Sequence, residues 1–170
     1  MKILSTFLFI AALLFALLIP GALQAQGGQG TGIIDQGPEQ QLLYSPETIE
    51  WQAAPPSLEP GAEVALLEGS PSEPGVFTMR IRMPDDFYIS PHWHPGVERV
   101  TVISGLFQLG RGDELNREAT ETLEPGSYVS MPPEFRHYAI AEGDTVIQLT
   151  SIGPWEVNYI NPEDDPRLRS

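Results

Sequence analysis

The chain has 170 residues, with 23 acidic side chains against nine basic ones, a formal net charge of −14, three histidines and no cysteine. Without cysteine there are no thiol nucleophiles, disulfides or thiolate metal sites, and so acidic a surface repels phosphate backbones and anionic lipid, which excludes nucleic acid as an expected partner. The length is enough for one globular domain with its own core.

Residues 1–25 read as a secretory signal peptide. Lys2 supplies a basic start, Phe7 to Ile19 is an unbroken apolar run, Pro20-Gly21 breaks it, and Leu23-Gln24-Ala25 offers a cleavage site before Gln26. The run of 13 residues is short of the roughly 20 that span a bilayer. Cleavage leaves about 145 residues without a single lysine, since Lys2 is the only one, and so excludes Schiff-base chemistry and lysine-dependent phosphate loops. The expected location is secreted or periplasmic, with no membrane contact after cleavage.

Residues 26–45 are rich in Gly and Gln and read as a flexible leader. From there to residue 160 the chain is punctuated by Pro and Gly at short intervals. Apolar or alternating runs lie at Thr48–Gln52, Ala62–Leu67, Val76–Met83, Phe87–His94, Arg99–Ile103, Leu106–Leu109, Ser127–Met131, His137–Ala141, Thr145–Ile152 and Trp155–Ile160. Ser104-Gly105 and Glu142-Gly143-Asp144 read as turns. Asn116–Leu123 fits a helical turn or a strand. About ten short strands at even spacing predict an all-β sandwich or barrel. Residues 161–170 form a polar C-terminal tail.

All three histidines fall in two stretches. In Ser90-Pro91-His92-Trp93-His94-Pro95-Gly96-Val97-Glu98, strand alternation projects His92 and His94 to one side, and the Pro95-Gly96 turn brings Glu98 back beside them. The second stretch, Pro132-Pro133-Glu134-Phe135-Arg136-His137, offers His137 as a further donor.

These stretches resemble the two motifs of the cupin superfamily. The first motif runs glycine, five residues, His-x-His, three or four residues, Glu, six residues, Gly; His92, His94, Glu98 and Gly105 sit at those spacings. Of the second motif, Gly126, Pro132 and His137 match. The opening glycine of the first motif is here Asp86, the glycine of Pro-x-Gly is Glu134, and the closing Asn is Ala141. Asp tolerates positive φ better than most residues. The resemblance covers about residues 46–160. It implies a double-stranded β-helix or jelly-roll barrel with a short N-terminal arm. It also implies four metal ligands, His92, His94, Glu98 and His137.

Three imidazoles and a carboxylate suit one divalent first-row metal: Mn, Fe, Co, Ni, Cu or Zn. One or two open positions would admit water, substrate or dioxygen. Arg80, sharing a strand face with Arg82, reads either as a carboxylate clamp or as an exposed outer face. Tyr88, Gln108 and Met131 complete the candidate substrate contacts; Glu134 and Arg136 read as solvated. The expected function is a metal-dependent enzyme of dioxygenase, isomerase or lyase type on a small oxygen-rich molecule. The alternative is a non-catalytic binder or sensor of a small molecule. A third reading is a mainly structural cupin that forms a homodimer through an edge strand and the N-terminal arm.

Overall fold

A computed structural model describes residues 37–169. The expected signal peptide and most of the expected Gly/Gln leader lie outside the described residues. Among the described residues there is no α-helix, and nine strands form one continuous antiparallel ladder. They are β1 (Gln52–Ala53), β2 (Glu63–Glu68), β3 (Gly75–Met83), β4 (Tyr88–Trp93), β5 (Glu98–Arg111), β6 (Thr120–Leu123), β7 (Tyr128–Met131), β8 (His137–Gly153) and β9 (Asn158–Tyr159). Asn116–Leu123 is both things the sequence allows: a 3-10 turn at Arg117–Ala119, then β6.

Two long strands, β5 and β8, make the roll. They pair along most of their length, from Arg99 opposite Thr150 to Arg111 opposite His137. The far edge of β8 is taken by β3 along residues 145–153 and by β4 along 137–140. The far edge of β5 is taken by β7 along 98–101 and by β6 along 107–110. One layer is therefore β1-β2-β3-β8-β5-β7 and the other β9-β4-β8-β5-β6, with both central strands passing from one to the other. This is the jelly-roll arrangement expected from the sequence.

The expected turns at Ser104-Gly105 and Glu142-Gly143-Asp144 are not chain reversals. They are where β5 and β8 bend, with register shifts between Val102, Ser104 and Leu106. The irregularity changes which parity faces inward. Glu98, Val100 and Val102 are buried before it, Phe107 and Leu109 after it. An extra residue in an antiparallel strand turns every later side chain to the opposite face, so one strand serves the core on both sides of the bend. The side chain of Thr145 fixes the corner by donating to the carbonyl of Leu106 at 3.1 Å.

β3 shows plain alternation: Phe77, Met79, Ile81 and Met83 are buried, and Thr78, Arg80 and Arg82 lie on the outer face. The core fills the space between the two layers with Val64, Ile81, Val100, Phe107, Ile147 and Leu149 among others. Gly110 lies opposite Tyr138, whose ring, 1% exposed, folds over it. A Cβ at Gly110 would fall 1.9 Å from that ring, and the tyrosine hydroxyl is held by the carbonyl of Asn116 at 2.8 Å. Gly110→Ala is expected to cost on the order of 1–3 kcal/mol, read as a lower midpoint in denaturant at unchanged slope.

The C-terminal residues 161–169 pack back on the barrel. Two 3-10 turns, Pro162–Asp164 and Pro166–Leu168, bring Arg167 to the carbonyl of Val157 at 2.9 Å, with Asp165 accepting from the same guanidinium.

Candidate metal centre

Four elements deliver the site. His92 is the last but one residue of β4 and pairs directly with His137, the first residue of β8. His94 follows β4 by one residue, Glu98 opens β5, and Glu98 lies opposite Met131 of β7. A bulge between Ile89 and His92 puts three steps of β4 against two of β8. Pro91, which has no N–H to contribute to the ladder, sits inside it. The bulge shifts parity, so Ile89 and His92 both turn inward while Tyr88 is left outside.

All four side chains are buried, at 3 to 6% exposure. One nitrogen of each of the three imidazoles lies within 4.8 Å of the others. Glu98 Oε2 is 3.3 Å from His94 Nε2 and 3.2 Å from His137 Nε2. Each ring is fixed from behind. Nδ1 of His92 lies 2.7 Å from the carbonyl of Ser90, Nδ1 of His94 2.7 Å from that of Glu156, and Nδ1 of His137 2.9 Å from that of Phe135. A carbonyl only accepts, so each Nδ1 carries a proton, and the neutral form of each ring presents its lone pair at Nε2. Such a carbonyl behind each ring is the outer partner that metal-ligating histidines carry. Trp155 holds His94 further by stacking on it at 4.3 Å and 17°.

Charge is balanced to match. Burial opposes the ionised form of Glu98, but the imidazoles of His94 and His137 outweigh it and hold the carboxyl well below its usual range. Burial, then the neighbouring His137 and His94, push His92 well below the ordinary imidazole value. For His137 burial also opposes the charge, but the Glu98 carboxylate outweighs it and the pKa is raised. Without a metal, the Glu98 carboxylate and the His137 imidazole each favour the other's charged form.

Three buried side-chain atoms among the described residues have no hydrogen-bond partner: His94 Nε2, Glu98 Oε2 and Trp155 Nε1. All three residues line one inner cavity of about 40 Å³. Buried polar atoms are rarely left unpaired. A cation fits two of these three, since it takes lone pairs that no donor in the chain reaches. Three neutral nitrogens and one carboxylate oxygen are a donor set for a divalent first-row metal.

The other expected contacts are dispersed. Met131, 3% exposed, lines the inner cavity. Arg80 lies on the outer face of β3, where its Nε donates to Gln148 Oε1 at 3.2 Å, and Arg82 pairs there with Glu63 and lies over Trp51. No clamp faces the metal ligands. Gln108 points outward and bonds Glu142 and Thr120, because the bend in β5 gives the inward parity to Phe107 and Leu109. Tyr88, 40% exposed, borders a surface depression instead. Arg136 pairs with Asp113 on the surface. Glu134 stands at φ 62° and Asp86 at φ 63°, so both turns that glycine makes in the family pattern are made here by acidic residues. Sequence reasoning missed the role of Glu156, whose contribution is a backbone carbonyl and leaves no trace in residue type. Nor does anything in the sequence single out Trp155 from the other tryptophans.

A two-layered β roll closing on a buried His₃Glu cluster is a cupin. The chain belongs to the family described as the ChrR cupin-like domain, which matches residues 39–156. Solved structures share the barrel at low identity. The polyketide cyclase RemF from Streptomyces resistomycificus is 14% identical over 75% of this chain and 90% of that one, with a TM-score of 0.62. An acetylacetone dioxygenase from Acinetobacter johnsonii is 19% identical over 75% and 82%, with a TM-score of 0.56. An RmlC-like cupin from Shewanella frigidimarina is 17% identical over 69% and 93%, with a TM-score of 0.52. No curated protein matches the chain.

Proposed function

We propose that this chain is an exported cupin that binds one divalent first-row metal through His92, His94, Glu98 and His137 and acts as a metal-dependent enzyme on a small molecule. The observation that carries it is the gathering of three imidazoles, each fixed by a carbonyl behind the ring and with one nitrogen of each within 4.8 Å of the others, beside Glu98 Oε2, which lies 3.3 Å from His94 and 3.2 Å from His137. Export rests on the pattern of residues 1–25.

A metal held here would supply a Lewis acid for a substrate oxygen in a dry cavity. The chain's part is positioning. The Ser90, Glu156 and Phe135 carbonyls lock the rings, so the donors are organised before a ligand arrives. Glu98 brings one negative charge against two positive ones and leaves the buried site a net positive centre. The apolar wall excludes water and strengthens the pull of that charge on an incoming oxygen. Among the neighbours in fold are proteins named for dioxygenase and cyclase activities, and both names denote small-molecule chemistry.

A second reading, a non-catalytic binder or sensor, has one observation in its favour. Apart from the four donors, no titratable side chain lines the inner cavity, so no general acid or base waits beside the open face. Incubation of metal-loaded protein with catechols, keto acids and diketones under air separates the two. Oxygen uptake or product formation that disappears in Glu98→Gln is expected of the enzyme. Ligand-dependent thermal shifts with no turnover of any of these compounds would select the binder.

A further inference from the structure

Beside the metal cavity lies a second, larger one. It is an open groove of about 530 Å³, lined mainly by apolar atoms, with Gln52, Leu66, Ser72, Glu156 and Arg167 in its wall. This volume is in the range of small-molecule sites. The two cavities share one wall, made of Pro55, Ser57, Val64, Met79, Trp155 and Val157. Val64 and Leu66 project from the same face of β2, so one strand face runs from the metal chamber into the groove. Trp155 belongs to both, with its ring stacked on the ligand His94.

The inner chamber has about 40 Å³ free. At roughly 10–15 Å³ for each water-sized probe, that admits the donor atoms of a ligand and not its carbon skeleton. The skeleton has to extend across the shared wall into the groove. Along this path no free cation waits for an anion, and the exposed Glu156 carboxylate at the groove repels one. The inner chamber carries no charged side chain beyond the four donors. At the groove, the Arg167 guanidinium is already engaged by Asp165 and the carbonyl of Val157. The net charge of −14 opposes anions in general. At the head the balance differs, because a divalent ion with Glu98 alone leaves one positive charge buried. A head that ionises once on coordination, such as an enol, phenol or hydroxamic acid, cancels it.

We propose that chamber and groove form one two-part site, with Trp155 as the divider, for an elongated neutral molecule that places a chelating oxygen head at the metal and an apolar tail in the groove. This rests on the metal reading above. It narrows the oxygen-rich substrate expected from sequence to one whose oxygens are gathered at the head.

Three compounds with one head test it on the Co(II)-loaded protein, with affinities taken from calorimetry and from the cobalt absorption bands: acetohydroxamic acid, octanohydroxamic acid, and the eight-carbon chain that bears a carboxylate at its far end. The octano compound is expected to bind on the order of tenfold or more tighter than the aceto compound, from burial of its methylenes. The terminal carboxylate should erase that gain. Leu66→Asp, at a half-exposed strand position where folding is tolerant, should bring the octano-to-aceto ratio toward one. Equal affinities for all three, or an unchanged ratio in Leu66→Asp, overturn the two-part site and leave the metal reading standing. If acetohydroxamic acid fails to perturb the cobalt bands and its binding is no stronger with metal than without, the metal reading falls, and this proposal with it.

Discussion

Glu98→Gln is expected to abolish stoichiometric metal binding while leaving the barrel folded. The substitution keeps the shape of the side chain and removes its charge, so packing at this 6% exposed position is nearly unchanged. What is lost is the only anion among the four donors. Removing an outer partner of a metal ligand commonly costs 10- to 100-fold in affinity, and loss of a charged ligand costs at least the upper end of that range. His137→Ala should act in the same direction, removing one donor and leaving Glu98 without the partner 3.2 Å away. Competition against a chromophoric chelator gives the affinities directly. Melting gives a second measure. Metal at about a thousand times its dissociation constant stabilises by about 4 kcal/mol, which for a domain of this size raises the midpoint on the order of 10 °C. Wild-type protein should show that rise and lose it to a chelator, whereas both variants melt at one temperature with and without metal. A wild-type metal-induced rise in Glu98→Gln would remove Glu98 from the ligand set.

The donors are legible in the sequence because they are few and their types are diagnostic. Three histidines, all at motif spacing, leave little else to choose. Their outer partners are not legible, because the carbonyl behind His94 belongs to Glu156, 62 residues along the chain, and any residue type supplies a carbonyl. The strand count fails for a related reason. Ser104-Gly105 and Glu142-Gly143-Asp144 carry turn chemistry, yet the backbone uses it to bend two long strands, since only a strand that passes between layers can close the roll. That same bend, and the bulge at Pro91, decide which side chains face the cavity. Simple alternation carried past them places Gln108 and Tyr88 at the site, and the structure places both outside. Where no bulge intervenes, as in β3, alternation separates Phe77, Met79, Ile81 and Met83 from Arg80 and Arg82 without error. Arg80 still lies on the side away from the metal, because alternation says which residues share a face and not which face is the core. The turn at Asp86 is legible because the tolerance of Asp for positive φ is a property of the residue itself.

Metal affinity should fall as the solution is acidified, beginning above the ordinary imidazole range. A protonated Nε2 has no lone pair, so each histidine binds either a proton or the metal. His137 sets the onset. Burial opposes its charge, but the Glu98 carboxylate 3.2 Å away outweighs burial, so its metal-free pKa is raised above the ordinary 6.5. His92, lowered by burial and by its two imidazole neighbours, competes only at lower pH. Each proton displaced costs a factor of ten in affinity per pH unit, and the dependence steepens as further imidazoles protonate. The metal-free protein has the opposite tendency in part of this range. A raised folded pKa at His137 contributes stability that is complete below 6.5 and is lost as pH rises through the folded value, while the lowered Glu98 contributes stability present above 4.5 and lost only in strong acid. The pair therefore supports the empty site between these limits, and the metal takes over its support above them. Melting with and without a chelator across the pH range should show a difference that grows as pH rises through the raised pKa of His137. In metal-free Glu98→Gln the His137 ring, followed by NMR, should titrate lower than in wild type, because the group that raises it is gone. A chelator effect independent of pH would mean that imidazole nitrogens are not what holds the metal.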